Sequence, residues 1–280
     1  MNQTIILNNS MEMPLLGLGG YRIGEQDAPA AVETAVSSGY RLLDTAPVYK
    51  NEEYIGRAVS RCKIPRGKLF ITSKVWNNAQ RLGDVEGALE RTLERLRLSY
   101  LDLFLIHWPV PGCYLNTWEA MMKLQEKGYV RSIGVSNFNS HQLKEIKESF
   151  GIYPAVNQME VHPLCYPRHL IEFCQSNGIA VQAYAPLGRG AYLDHDVLCV
   201  MGIKYAKTPA QIGLRWAVQK GIAVIPKSKN KEHIRTNARI FDFSIDPEDM
   251  ALLDKLNEDY HTASIPEDLQ DVITYADLTR

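Results

Sequence analysis

The sequence lacks any long apolar run. No stretch approaches the roughly 18 apolar residues of a membrane-spanning helix, and the first residues, MNQTIILNNSMEMP, show no basic region followed by an apolar core, so no signal peptide is predicted. An excess of charge is also missing, because 31 Lys and Arg stand against 32 Asp and Glu. The net charge of −1 predicts no binding to nucleic acid or to an anionic membrane. Small molecules are the expected partners.

Cysteine is scarce and its pattern excludes two further classes. The five cysteines are Cys62, Cys113, Cys165, Cys174 and Cys199. Their number is odd, they are widely spaced, and no two form a CxxC pair, which argues against a disulfide framework and against a thiolate metal site. This usage is typical of a reducing compartment, and together with the missing signal peptide it predicts a cytoplasmic protein.

Length and composition favour one domain over residues 1–280. The chain exceeds the commonest domain size, but α/β barrels use about 250 residues as one unit. A hydrophobic content of 45% with 22% charged residues is ordinary for a globular protein with a full core.

Short apolar runs alternate with amphipathic segments, and their starts recur roughly every 25 to 30 residues until a longer last interval. The predicted strands are Leu16–Gly19, Arg41–Asp44, Leu69–Lys74, Leu101–His107, Val130–Ser136, Ala155–Glu160, Ala180–Ala185 and Ile222–Ile225. Alternation of this kind implies parallel strands joined by right-handed crossovers. We therefore predict a (β/α)8 TIM barrel, with an open doubly wound sheet as the alternative, because periodicity alone does not show closure.

Local signals refine this fold. Asn8-Asn9-Ser10 has turn chemistry between two apolar runs and predicts an N-terminal β-hairpin. Asp84 is expected to cap one helix, and Thr208 with Gln211 forms a capping box for another. The segment Gly188 to Lys207 is expected to be a flexible flap. The tail after Ile265 carries no strong pattern and is expected to fold over the barrel mouth.

The stretch Gly39 to Gly56 brings an Asp and a Tyr to one place. Asp44 ends a predicted strand, and Tyr49 follows in the next loop. The active site of a barrel lies at the C-terminal ends of its strands, where Lys74 and His107 also fall. Lys74, paired with Asp44, is expected to lower the pKa of the Tyr49 phenol, and His107 to orient a carbonyl oxygen. This set suits protonation of an alkoxide by Tyr49.

Each of these groups also has a structural interpretation, as an ion pair or a packed histidine. Four complementary groups at neighbouring strand ends, beside the aromatic residues Tyr21, Trp76 and Trp108, favour a catalytic pocket that binds an apolar substrate.

Protonation of an alkoxide requires a hydride donor, which implies a nicotinamide cofactor. Gly17-Leu18-Gly19-Gly20 does not satisfy GxGxxG, so a Rossmann site is not supported. The basic segment Ile225 to Lys231 follows the last strand, where barrels often bind phosphate, although it is also compatible with a solvated charge run.

Together these residues resemble the aldo-keto reductase superfamily over nearly the whole chain. GYRLLDTAPVYKNEEYIG matches the DTAxxYxNE signature, IGVSNF matches the middle signature, and IPKS matches the cofactor signature. The general appearance is that of the group with 2,5-diketo-gluconate reductase and prostaglandin F synthase.

The resemblance implies a barrel that binds NADPH without a Rossmann fold and acts on small carbonyl compounds as a monomer. It assigns a catalytic tetrad to Asp44, Tyr49, Lys74 and His107. It assigns nicotinamide contacts to Ser136, Asn137, Gln158 and Tyr184, and pyrophosphate contacts to Pro186, Leu187 and Gly188. It places Lys227 and Ser228 at the 2′-phosphate and Asn237 at the adenine.

The sequence departs from the family pattern at two positions. His233 stands where an Arg is usual, and Thr236 where a Glu is usual. Because Arg is a permanent, forked phosphate partner and His is weakly charged, we expect weaker discrimination of NADPH over NADH. Lys229, Lys231 or Arg235 is an alternative phosphate partner.

The predicted function is NADPH-dependent reduction of aldehydes and ketones to alcohols. One alternative is an NADPH-binding sensor or regulatory subunit with little turnover, since fold does not determine function. The second, a metal-dependent barrel hydrolase, is disfavoured because the seven histidines include no HxH pair. No catalytic metal is expected.

Overall fold

The computed structural model describes residues 3–279. The predicted N-terminal hairpin is confirmed: β1 (Thr4–Ile6) pairs antiparallel with β2 (Glu12–Pro14). The turn between these strands is held by side chains of the barrel wall, because Asn9 Nδ2 donates to Ser132 Oγ at 2.8 Å. The hairpin therefore covers the end of the barrel where the strands begin.

Eight further strands form one parallel sheet in chain order. They are β3 (Gly17–Gly19), β4 (Leu42–Asp44), β5 (Phe70–Val75), β6 (Leu101–Ile106), β7 (Val130–Ser136), β8 (Val156–Glu160), β9 (Ala180–Tyr184) and β10 (Ala223–Val224). A parallel bridge between Leu16 and Val224 joins the two edges of the sheet. The predicted (β/α)8 barrel is confirmed, and the open-sheet alternative is wrong.

The helices surround the barrel. They are α1 (Ala28–Ser37), α2 (Glu52–Arg61), α3 (Asn77–Leu82), α4 (Val85–Leu96), α5 (Tyr114–Glu126), α6 (Ser140–Phe150), α7 (Arg168–Ser176), α8 (Asp196–Tyr205), α9 (Pro209–Gln219), α10 (Lys231–Asn237) and α11 (Pro247–Asp254). None of the helices within residues 3–279 is long and apolar enough to cross a membrane.

Apolar periodicity explains how the helices dock. On α4, Val85, Leu89 and Leu96 are buried, whereas Glu86 and Glu90 on the other face are exposed. Each buried side chain of this size contributes about 1.5–3 kcal/mol relative to leaving it in water. The strands are covered on both faces, so β5 and β6 are buried throughout. These strands form the rigid frame from which the polar strand ends project.

Two helix predictions had different outcomes. The capping box of α9 is confirmed, because Thr208 Oγ1 accepts from the Gln211 amide at 3.2 Å and the Gln211 side chain accepts from the Thr208 amide at 3.0 Å. The cap predicted at Asp84 is right in position, because Asp84 is the N-cap residue of α4, but it lacks the side-chain hydrogen bond. Its carboxylate makes an ion pair with Arg91 at 2.6 Å and accepts no hydrogen bond from the first turn of α4.

The prediction of a flexible flap over Gly188 to Lys207 is wrong, because half of this segment is α8. The His195 ring caps the helix by accepting from the Val197 amide at 3.2 Å. Leu198 and Met201 are buried, and α8 packs against α9. Three glycines in the segment (Gly188, Gly190 and Gly202) obscured the helical pattern.

Candidate active site

A cleft of about 1200 Å³ opens at the C-terminal ends of the strands. Most of the predicted site residues line it: Tyr21, Asp44, Tyr49, Trp76, His107, Trp108, Asn137, Gln158, Tyr184, Pro186, Leu187 and Lys227. Six predicted residues are not among those that line it: Lys74, Ser136, Gly188, Ser228, His233 and Asn237. Of these six only His233 is exposed to solvent. The rule that a barrel's active site lies at the C-terminal ends of its strands therefore located the cleft.

A buried ion pair forms the base of the cleft. Lys74 Nζ lies 2.6 Å from Asp44 Oδ1 and donates a second hydrogen bond to the Thr45 carbonyl at 3.1 Å. The other oxygen of Asp44 accepts from Gln158 Nε2 at 2.8 Å. Burial lowers the pKa of Lys74, and the adjacent Asp44 carboxylate opposes that shift. The carboxylate thus holds a proton on a lysine that has no access to water.

Tyr49 stands over this ion pair at the end of a 3₁₀ turn, Pro47–Tyr49. Lys74 Nζ lies 5.3 Å from the centroid of its ring. The expected fall in the Tyr49 pKa is wrong: burial, with the Asp44 carboxylate and Tyr21, raises its pKa well above the ordinary value. The main physical reason is that burial removes the water that would stabilise a phenolate, and the negative charge of Asp44 adds to this effect. Tyr49 is therefore fully protonated near neutral pH.

His107 follows β6 and forms the side of the cleft next to Tyr49. Its ring centroid lies 5.8 Å from that of Tyr49 and 4.9 Å from that of Trp76, both edge-on. Burial and the Lys74 ammonium hold the pKa of His107 well below the usual range, so the imidazole is neutral. Its Nδ1 has no hydrogen-bond partner within residues 3–279. A neutral imidazole in this position suits hydrogen bonding to a ligand oxygen.

Asn137 links three parts of the site through one amide. Its Nδ2 donates to the His107 carbonyl at 3.0 Å and to Ser136 Oγ at 3.1 Å, while its Oδ1 accepts from Tyr184 Oη at 2.8 Å. The backbone of Asn137 is left-handed, with φ 65°. Asn tolerates this conformation better than most residues. The hydrogen bonds to His107, Ser136 and Tyr184 therefore hold Asn137 in this strained backbone conformation.

Cationic side chains line one end of the cleft. Lys227 was predicted there, but Arg22 and Arg189 were missed. The two guanidinium groups lie 5.1 and 5.9 Å from the centroid of the Tyr21 ring. Arg189 directly follows the predicted Pro186-Leu187-Gly188 segment, and its place in a loop facing the barrel mouth was the available signal. This end of the cleft favours an anionic ligand.

The C-terminal tail forms part of the cleft wall with apolar and acidic side chains, among them Ile265, Glu267 and Asp268. Ile265, Leu269 and Ile273 pack with Trp108 in a cluster separate from the main core. The tail is also tied to the barrel by polar contacts, because Arg81 pairs with Asp268 at 2.5 Å. This confirms the expectation that the tail folds over the mouth. Which tail side chains meet the pocket was not predicted.

The segment after β10 carries the predicted phosphate residues. Ser228 Oγ accepts from the Asn230 amide at 3.1 Å, and Asn230 in turn caps α10 by accepting from the amides of Glu232 and His233. The Lys229 ammonium lies 3.4 Å from Asp27. The amides of Glu232 and His233 in the first turn of α10 are therefore already paired with Asn230.

The family model for the aldo/keto reductase family matches residues 15–258. This chain belongs to the aldo/keto reductase family. It is 43% identical to the glyoxal reductase of Bacillus subtilis over 270 residues, which cover 96% of this chain and 98% of the relative. It is also 43% identical to the 9,11-endoperoxide prostaglandin H2 reductase of Trypanosoma cruzi, with 94% of each chain covered.

Solved structures agree with this assignment of the reductase. An aldo-keto reductase from a Medee basin deep-sea metagenome library has a TM-score of 0.90 and 40% identity, covering 93% of this chain and 97% of the other. The aldo/keto reductase of Brucella melitensis has a TM-score of 0.88 and 39% identity, covering 92% and 100%. The chain is thus an oxidoreductase of a family that acts on small carbonyl compounds and generally uses NAD(P)H.

Proposed function

We propose that this reductase uses NADPH to convert aldehydes and ketones to alcohols, with Tyr49 as the proton donor. The observation that carries the proposal is the convergence of a protonated phenol and a neutral imidazole on one cleft, beside the buried Lys74–Asp44 pair. A carbonyl oxygen held between the two rings meets two neutral donors. That is the arrangement which reduction of a carbonyl needs when negative charge develops on oxygen.

The residues of the cleft fit a nicotinamide dinucleotide phosphate. Arg22, Arg189 and Lys227 line the end at which the anionic part would lie. Asn137 and Gln158 offer amide groups near the ion pair, and the exposed face of Tyr184 offers a stacking surface. When bound, the cofactor supplies hydride to the carbonyl carbon.

Side chains of the protein then supply the proton. Tyr49 donates its hydroxyl proton to the oxygen of the reduced carbonyl and becomes a phenolate. An ammonium group has three N–H donors, and two of those on Lys74 are directed at Asp44 and Thr45. We assign the third to the Tyr49 oxygen, where it stabilises the phenolate. Asp44 keeps Lys74 charged for this role, and Gln158 holds Asp44 in place.

The substrate pocket supports small carbonyl compounds. Trp76 and Trp108 provide apolar walls, and Ile265 from the tail narrows the space between them. One relative is named a glyoxal reductase. This name and the apolar walls support short aldehydes and dicarbonyls as the first substrates to test.

Cofactor preference is expected to be weaker than the family pattern implies. His233 is exposed on α10 and contributes its backbone amide to Asn230, which leaves the ring free to face solvent. Lys229 is paired with Asp27, and Arg235 lies 3.7 Å from Glu232. Two of the three cations that were alternative partners for the 2′-phosphate, Lys229 and Arg235, therefore already have acidic neighbours.

The test replaces Tyr49 by Phe, which keeps the ring and removes the acid. General acid catalysis contributes about 10²–10⁴-fold, so we expect kcat to fall by at least 100-fold while NADPH binds with unchanged affinity. Tyr54→Phe, which removes a hydroxyl from α2 outside the cleft, is the matched control. NADPH oxidation is followed with a panel of aldehydes, dicarbonyls, sugars and quinones.

Two outcomes would contradict the proposal. Turnover by Tyr49→Phe equal to that of wild type would exclude Tyr49 as the acid. Tight NADPH binding by the wild type without turnover on any substrate would favour a sensor instead of a reductase.

A further inference from the structure

Three side chains outside the proposed catalytic set converge beside the cleft. Glu160 ends β8, and a tight turn follows in which His162 and Cys165 exchange backbone hydrogen bonds of 3.0 and 2.8 Å. The turn places the Cys165 thiol back beside Glu160. The tail joins this turn, because the Tyr260 amide donates to the Leu164 carbonyl at 2.9 Å. The next tail residue, His261, thereby meets Glu160 and Cys165.

One ring nitrogen faces both partners. His261 Nδ1 lies 3.6 Å from Cys165 Sγ and 3.3 Å from Glu160 Oε2. To bond the carboxylate, Nδ1 must carry a hydrogen; to accept from the thiol, it must not. Only one of these two contacts is therefore a hydrogen bond at a time, and the thiol can otherwise donate to the Glu160 carbonyl at 3.9 Å. A cation at the centre of the three atoms satisfies all of them.

Two of the three separations between ligand atoms agree with a tetrahedral zinc site. Zn–S bonds of about 2.3 Å and Zn–N and Zn–O bonds of about 2.0–2.2 Å, at tetrahedral angles, separate S from N by about 3.6 Å and N from O by about 3.4 Å. The corresponding separations here are 3.6 and 3.3 Å. The three ligand atoms all lie within 4.8 Å of one another. The third separation, between Cys165 Sγ and the Glu160 carboxylate, lies within the same limit.

The charges of the ligands also balance Zn²⁺. A Glu160 carboxylate and a Cys165 thiolate together carry two negative charges, so the occupied site is neutral. Neutrality matters because Glu160 and Cys165 are 4% and 0% exposed, and burying net charge is costly. Thiolate, imidazole and carboxylate are the ligands that zinc prefers.

We propose that Glu160, Cys165 and His261 bind Zn²⁺, with water in the fourth position. The other oxygen of Glu160, Oε1, lies 3.4 Å from His162 Nε2 and accepts from the amide and the hydroxyl of Thr262. Binding breaks the S–H bond of Cys165, releases that proton to solvent and forms the Zn–S bond. The amides of Thr262 and Ala263 keep their hydrogen bonds to Glu160, at 2.9 and 3.2 Å.

Occupancy would connect the tail to the cofactor end of the cleft. Glu160 is the register partner of Tyr184 across β8 and β9. On the tail, the zinc ligand His261 is followed closely by Ser264 and Ile265, which line the cleft. A bound ion therefore fixes the segment that closes the pocket. The ligands lie 96 and 101 residues apart in sequence, which is why cysteine spacing argued against a thiolate site.

Co²⁺ titration of the full chain, with a phosphine reductant present, tests the proposal. We expect one Co²⁺ per chain, a thiolate-to-cobalt charge-transfer band, and displacement of Co²⁺ by Zn²⁺. Replacing a residue that hydrogen-bonds to a metal ligand lowers metal affinity by about 10–100-fold. Cys165→Ser removes a ligand itself, so it should lower Co²⁺ affinity by at least 100-fold and abolish the charge-transfer band. Cys174→Ser, at another buried cysteine, is the matched control and should bind as wild type does.

His261→Gln is the second variant, because it lies in the tail and leaves the barrel core unchanged. It should weaken Co²⁺ binding by a similar factor while retaining the wild-type circular dichroism. Binding that is unaffected by both substitutions, or a wild-type chain that binds no Co²⁺, would overturn the proposal. Loss of binding in Cys174→Ser equal to that in Cys165→Ser would also overturn it.

Discussion

Replacing Asp44 by Asn tests how strongly the buried ion pair depends on its carboxylate. The substitution leaves Lys74, which is 0% exposed, with a positive charge and no counterion at 2.6 Å. Removing one partner of a buried pair costs about 3–5 kcal/mol. With an m-value of about 3 kcal/mol per molar urea, the unfolding midpoint at pH 7 should fall by about 1–2 M. Replacing both partners, as Asp44→Asn with Lys74→Met, should recover most of this loss because no charge is left buried.

The same variant has a defined pH dependence. Burial lowers the pKa of Lys74 in the folded state, and Asp44 opposes that shift, so its removal lowers the pKa further. Between the folded and unfolded pKa values the unfolded chain binds more protons, and stability therefore rises with pH. The destabilisation should shrink as the pH rises from 7 toward 10. A single variant as stable as the double variant at pH 7, or a loss that grows with pH, would refute the reasoning.

Three further predictions concern pH, cofactor choice and the tail. Burial raises the pKa of Tyr49 well above its ordinary value, so the acid stays protonated and kcat/KM for reduction should not fall up to pH 10. A fall of kcat/KM below pH 9 that disappears in Tyr49→Phe would contradict this. His233→Arg should strengthen binding of the 2′-phosphate by about 1 kcal/mol. The ratio of kcat/KM with NADPH to kcat/KM with NADH should then rise roughly five-fold. An unchanged ratio would show that residue 233 does not determine cofactor preference. Leu269→Ala should weaken the packing of the tail against Trp108 by about 2–5 kcal/mol. We expect faster proteolysis of the tail and an unchanged unfolding midpoint of the barrel. A lower unfolding midpoint of the barrel would show that the tail cluster and the main core unfold together.

Strand-end reasoning predicted much of the site because parallel strands of a barrel end on one face. Asp44, His107 and Gln158 follow from that rule, and the closure of the barrel brings them together even though they are far apart in sequence. The sequence did not predict the sign of the Tyr49 pKa shift. That sign depends on burial and on the closeness of the Asp44 carboxylate and Tyr21, which are properties of the folded chain.

Segments outside the repeating pattern were predicted less well. The helix α8 was missed because Gly188, Gly190 and Gly202 weaken the helical signal, while its stability comes from packing against α9. Arg189 was missed because a loop side chain has no periodicity to reveal its direction. The Arg189 guanidinium lies over the Tyr21 ring. The backbone of Arg189 is left-handed, with φ 50°, and the glycines on either side of it also have positive φ.

The separate apolar cluster of the tail has an evolutionary consequence. Ile265, Leu269, Ile273 and Leu278 pack with Trp108 and Val110, apart from the core that holds the barrel together. Mutations there alter the wall of the substrate pocket without altering the interactions on which barrel folding depends. Under the proposed function, selection can therefore change which carbonyl compounds enter while Tyr49 and the residues beneath it stay the same. New specificities can arise by replacing one short, terminal piece of chain.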